Sequence, residues 1–173
     1  MINTYKADPN QSSAHFILKN FVIPDIEGDF ECLSGKFIYD PGNLSHAKIE
    51  ASIAVKTMHT GNEVRDSQLK GKEFFNIKKY PFIKFVSKDF SIQDADVLKV
   101  RGDLTVKGIT REIILNVERP ADTKEPELNL AASTIINREE FKLDLGDILE
   151  IGEPLIGENI QMTMNIQLIK EKP

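Results

Sequence analysis

Few residues in this chain are of a type and spacing that could do chemistry together. The three histidines, His15, His46 and His59, form no H-x-x-x-H pair, and Cys32 is the only cysteine. Neither a zinc-type ligand cluster nor an internal disulfide is therefore expected. No G-x-S-x-G elbow is present, and the glycines form no phosphate-cradling loop. Catalysis, a bound metal and a cofactor are not expected on these grounds. Cys32, in a strand-like stretch, reads as a small packed hydrophobe rather than a reactive thiol.

The densest set of functional side chains lies in Thr60–Pro81, TGNEVRDSQLKGKEFFNIKKYP. Arg65 and Asp66 are neighbours in a stretch with helical character, so their side chains should diverge and find different partners. One reading has them tying an insert to the rest of the fold through hydrogen-bonded ion pairs. The other has Arg65, helped by Lys70 or Lys72, meeting an anionic group such as pyrophosphate, because a forked guanidinium holds two oxygens at once. Phe74, Phe75, Tyr80, Phe82 and Phe85 would either pack one end of the fold or line an entrance.

These residues sit in an uneven charge distribution. Arg65–Lys88 holds seven basic and two acidic residues, whereas Arg138–Glu158 holds seven acidic and two basic. The whole chain carries a net charge of −5 with a pI near 5.3, which gives no reason to expect nucleic-acid binding. Its 173 residues suit a single domain over 1–173, since domains usually run to about 100–200 residues. The longest uncharged run, Asn159–Ile169, is eleven residues and half polar, too short for a membrane span. The first residues, MINTYKADP, contain no apolar core of a signal peptide. A soluble, cytoplasmic protein is the expectation, or a periplasmic one if a leader has been removed.

The elements that must position these groups are mainly strands. Apolar residues alternate with polar ones over Ala47–Val55, Leu98–Val106 and Glu158–Leu168, and more weakly over Ser13–Leu18, Phe30–Tyr39, Phe82–Ile92, Glu112–Val117 and Leu128–Ile136. About eight antiparallel strands, each with one apolar face, point to a sandwich or a barrel. Helical signals are confined to Gly61–Leu69, with Asn62 or Thr60 as cap, and to a short turn at Asn137–Phe141 that Asn137 could cap. Closing eight strands leaves an interior that side chains fill or that holds one small ligand. Periodicity alone favours the filled core.

The order of motifs changes that ranking. Tyr5, Asp8-Pro9, Ser12 and Phe16, then Gly28-Asp29-Phe30 and Gly35, then Thr60-Gly61-Asn62, Arg65-Asp66, Leu69, Phe74-Phe75 and Lys79-Tyr80-Pro81 resemble the YceI-like family of polyisoprenoid-binding, lipocalin-like proteins. Gly102-Asp103-Leu104-Thr105, Lys107-Gly108-Ile109-Thr110-Arg111, Asn137-Arg138 with Phe141, and Ile156-Gly157 continue the likeness to the end of the chain. Three positions depart from the pattern: Tyr5 for a frequent Trp, Gln68 for a frequent His, and Lys142 for the usual Gly after the closing Phe.

The resemblance implies an all-β fold, an eight-stranded antiparallel lipocalin-like β-barrel with a short helical insert near residues 61–76. Its apolar interior would sequester or carry a long-chain amphiphile: a polyisoprenoid, an isoprenoid quinone or a fatty-acyl derivative. The expected lining is Phe16, Phe30, Ile49, Ala51, Ile53, Phe74, Phe75 and Phe85 from the first half of the chain. Leu98, Val100, Leu104, Leu115, Ala132, Met162 and Met164 supply the rest. Arg65, Asp66, Lys70 and Lys72 would act as a latch or meet the headgroup. The implied partner is an isoprenoid or long acyl-chain lipid, and no catalysis is implied; a homodimer goes with the alternative reading. The alternative is a barrel with a filled cavity that acts through protein contacts.

Overall fold

The computed structural model describes residues 2–20, 25–40, 42–118, 126–144 and 156–172. Ten strand segments appear among them: β1 (Asn3–Ala7), β2 (Ser13–Asn20), β3 (Ile26–Phe30), β4 (Leu33–Tyr39), β5 (Lys48–Ala54), β6 (Phe82–Ile92), β7 (Val97–Val106), β8 (Ile109–Glu118), β9 (Glu127–Asn137) and β10 (Ile156–Lys170). All pairings are antiparallel. They form one closed, eight-stranded barrel, because two of the barrel's strands are each broken in two. β1 and β2 both lie along β10, with Ala7 opposite Leu168 and Ser13 opposite Asn165. β3 and β4 are likewise successive pieces, on β2 and on β1 and β5.

Each break shows as a phase slip in the inward residues. Buried positions run Tyr5, Ala7 and then Ala14, Phe16, Leu18; they run Ile26, Phe30 and then Leu33, Phe37. A step of odd length puts the next residues on the opposite face unless an extra residue is looped out. Between β3 and β4 that place is Glu31-Cys32, where Cys32 takes a left-handed backbone with φ 57°. Cys32 is exposed, which corrects the expectation of a packed thiol: the bend turns its side chain outward. β6 has the same device, a register shift between Ser87 and Asp89.

The barrel has two unlike ends. β2, β3 and α1 (Glu63–Lys70) lie at one end, and the β6–β7 turn with the start of β1 at the other. At the helix end the ring closes through a backbone pair: Asp29 N–H donates to His59 O and His59 N–H to Asp29 O, each at 2.9 Å. The Asn62 side chain caps α1 by accepting from Arg65 N–H at 3.0 Å. The helix ends at Gly71, well short of residue 76, as glycine's low helix propensity favours. Asn137 caps a 3₁₀ turn over Arg138–Phe141, accepting from Glu139 N–H at 2.9 Å.

Wall pairing is uneven. β7 and β8 pair continuously from Val97↔Glu118 to Val106↔Ile109, and β9 and β10 from Asn159↔Asn137 to Ile169↔Glu127. Among the described residues β8 and β9 share only Asn116↔Ser133, Val117↔Ala132 and Glu118↔Ala131.

Candidate functional site

Alternation turns one apolar row of every strand inward, and these rows leave apolar cavities in line along the axis. The innermost lies beneath α1, bounded by Phe16, Phe30, Leu69, Phe74, Phe75 and Met162, with a cavity volume of about 30 Å³. The next, about 80 Å³, lies between Ile53, Phe85, Leu104, Leu115, Ala132 and Met164. Ile83 and Met162 line both. Beyond it, sharing Val117 and Leu130, a cavity of about 290 Å³ opens between Tyr39, Leu44, Ile92, Asp94 and Asp96 at the end opposite the helix. The two inner cavities are smaller than the roughly 150 Å³ apolar hollow that admits benzene. A guest in them must displace side chains, and Met162 and Met164 are the flexible ones.

The structure distributes the sequence-expected residues along this axis. Phe16, Phe30, Phe74, Phe75 and Met162 line the innermost cavity. Ile49, Ala51, Ile53, Phe85, Leu104, Leu115, Ala132 and Met164 line the middle one, and Leu98 lines the open mouth. Val100 is fully buried but borders none of the three. Leu18, Ile26, Ile83, Leu130 and Ile136 line the cavities too and were not singled out from sequence. Their signal was available, since Leu18 stands two residues from Phe16 and Ile83 two from Phe85. Arg138, 2% exposed, was legible only as a motif residue. Its Nε donates to Gly157 O at 3.0 Å and its Nη1 to Leu143 O at 3.1 Å, fastening the 3₁₀ turn to the start of β10.

Arg65 and Asp66 do not diverge; both converge on Thr60. The Asp66 carboxylate accepts from Thr60 N–H at 3.0 Å and also from the Thr60 hydroxyl. Arg65 donates from Nε to Thr60 Oγ1 and from Nη2 to Thr60 O, each at 2.9 Å. No ion pair of either residue occurs among the described residues, so the expected ion-paired tie is replaced by a hydrogen-bonded clasp. The helical turn brings residues one apart onto the same preceding segment because that segment folds back over the helix start. Arg65, Asp66, Lys70 and Lys72 line none of the axial cavities, and every residue around the innermost one is apolar. Of the basic stretch, only Lys84 touches the axis. Of the acidic stretch, residues 145–155 lie outside the described residues.

The histidines sit on the outside. His15 Nδ1 is 2.9 Å from Asp29 Oδ1, His46 Nδ1 is 3.1 Å from Asp40 Oδ2, and His59 Nε2 is 3.4 Å from Glu31 Oε1. A His–carboxylate pair needs a hydroxyl or thiol on its other side to make a nucleophile. Among the described residues none hydrogen-bonds to these rings, and none forms a cluster of three or more His, Cys, Asp or Glu able to hold a metal. On the outer wall the Lys88 ammonium is held above its usual pKa by hydrogen bonds to Asp103 and Glu112, and the Arg101 guanidinium by Asp89. No described helix is long and apolar enough to cross a membrane.

The YceI-like domain model matches residues 5–168. The chain belongs to the YceI-like family. One YceI-like relative, a UPF0312 protein of Staphylococcus aureus (strain USA300), is 30% identical over 165 residues, covering 92% of this chain and 94% of the relative. Among solved structures, Burkholderia cenocepacia BcnA superposes with a TM-score of 0.82 at 22% identity, covering 93% of this chain and 98% of its own. A polyisoprenoid-binding domain from Saccharophagus degradans superposes with a TM-score of 0.73 at 15% identity, covering 96% and 98%. At these identities the two structures speak to the fold, which they share with this YceI-like chain.

Proposed function

We propose that this barrel binds one long, apolar chain along its axis, a polyisoprenoid, an isoprenoid quinone or a fatty-acyl derivative, and carries or stores it without chemical change. The observation that carries the reading is the run of cavities that share lining residues, Ile83 and Met162 and then Val117 and Leu130. The polyisoprenoid-binding function named for the S. degradans domain, which has this fold, points the same way.

The chemistry of such a site is burial. Each CH₂ withdrawn from water contributes about 0.8 kcal/mol before the costs of ordering the chain. Polar contacts are not needed for affinity, which suits an interior whose inner end is wholly apolar. The widening from 30 to 80 to 290 Å³ toward the mouth makes the mouth the wide, accessible end for a chain. A barrel acting only through protein contacts is the competing reading, favoured by the small inner volumes.

Native mass spectrometry of freshly purified protein, followed by organic extraction, separates the two. A stoichiometric adduct with a prenyl or acyl chain is expected. Protein that is empty and also refuses prenol, quinone and fatty acid in titration overturns the proposal.

A further inference from the structure

The wall of the barrel is open along one seam. Among the described residues β8 and β9 pair at three positions and part beyond Asn116 and Ser133, although each stays fully zipped to its other neighbour. The cleft left between them has a volume of about 780 Å³. Its lining mixes two sets of residues that a sheet keeps apart. Ile113, Thr134, Ile136 and Met162 belong to the inward rows and also line the axial cavities. Ile114, Ile135, Asn159 and Gln161 belong to the outward rows, with Ile114 51% and Ile135 62% exposed. Because successive side chains point to opposite faces, one space touching both sets reaches from the outer face to the inner edge of the wall.

Among the described residues one side-chain hydrogen bond crosses the unpaired part of this seam: Thr134 Oγ1 donates to Ile114 O at 2.9 Å. Thr134 is nearly buried, so a side-chain hydroxyl stands in where the ladder would have continued. The remaining polar lining consists mostly of neutral hydrogen-bonding groups, Asn116, Ser133, Asn137, Asn159, Gln161 and Thr163. Its charged members offset one another. Glu112 is already paired, 3.2 Å from Lys88 and 3.5 Å from Arg101, which leaves Lys99 and Glu140 with opposite signs.

We propose that the β8–β9 cleft is a side portal that receives the polar end of the axial ligand, and that it takes an uncharged, hydrogen-bonding headgroup such as a quinone or an alcohol. The inference rests on the axial reading above. Met162 is the junction: it borders both inner cavities and the cleft, and with Ile113 and Thr134 it stands between the middle cavity and the portal. Amide and hydroxyl side chains can donate to or accept from a carbonyl or hydroxyl head. They supply no cationic fork for a diphosphate, whose burial would leave charge unpaired.

The test uses the absence of tryptophan from the sequence. Ile135→Trp places an indole at the portal, and Ala95→Trp places one at the axial mouth. Both positions are exposed, so both variants should fold as the parent does. A benzoquinone bearing a short prenyl tail quenches an indole that it touches. Chain uptake is scored separately, by native mass spectrometry. Expected is bound quinone with at least about 5-fold stronger quenching in the Ile135→Trp variant than in the Ala95→Trp variant, and prenol binding at least about 10-fold tighter than the prenyl diphosphate of equal length. Uptake with quenching at the mouth instead, or with the diphosphate bound as tightly, overturns the portal and leaves the axial site standing. No uptake at all overturns both.

Discussion

The carboxylate of Asp66 receives both the backbone N–H and the hydroxyl of Thr60, and Arg65 grips the same residue from the other side. Thr60 follows His59, whose backbone closes the barrel ring on Asp29. An eight-residue helix is too short to persist alone, and α1 buries only Asp66 and Leu69. The clasp therefore fixes the start of α1, while Leu69, Phe74 and Phe75 anchor the rest of the cap. Asp66→Ala should cost about 1.5–3 kcal/mol in chemical denaturation, the range for hydrogen bonds to charged groups. Hydrogen exchange should localise the loss to residues 60–77. Thr60→Val combined with Asp66→Ala should add much less than the sum, since one interaction is removed twice.

Lys142 occupies a position where the backbone is left-handed, φ 53° and ψ 40°, directly after the 3₁₀ turn. A side chain there costs about 1–2 kcal/mol, and glycine forfeits part of that gain to its freer unfolded chain. Lys142→Gly should stabilise the protein by about 0.5–1 kcal/mol, measured as a raised denaturation midpoint at unchanged slope.

Cys32 lies exposed in the bend between β3 and β4. In native buffer a disulfide reagent such as dithionitrobenzoate should modify one thiol per chain, at a rate little changed by denaturant. Protection that disappears only on unfolding would place the side chain inside.

Met162 separates the two inner cavities and borders the cleft. Met162→Ala should lower stability by about 2 kcal/mol, the small end of the range for truncation in a core that already has space. It should also tighten or speed uptake of a prenyl chain in calorimetric titration. Lower stability with unchanged uptake would mean that the bore at Met162 does not limit entry.

Asn137 and Asn62 were readable as caps because an Asn followed by acidic residues has a local, mechanical role. The strand rows of β5, β7 and β10 were readable because alternation is a property of the chain alone. The breaks were harder. The step from Phe30 to Leu33 is written in the sequence as a change of phase, but a strand drawn through Phe30–Tyr39 hides it, and with it the exposure of Cys32. Thr60 was seen as a possible cap for α1 and proved to be the shared partner of Arg65 and Asp66. No local rule forecasts that, since it depends on how the preceding segment returns to β3. The parting of β8 from β9 is a relation between strands, and neither strand alone carries a sign of it.

Two aromatic rings in the barrel rest on glycines. A methyl group on Gly28 would lie 2.5 Å from the Phe16 ring, and one on Gly102 would lie 2.5 Å from the Phe85 ring. Each ring therefore lies down against the strand beside it instead of standing up into the lumen. Two absent methyl groups set the clear width of the tube. An alanine at either place would press on its phenylalanine and also on backbone, the Val86 carbonyl at Gly102 and the His59 carbonyl at Gly28, so the bore and the closure of the wall hang on the same two missing methyls.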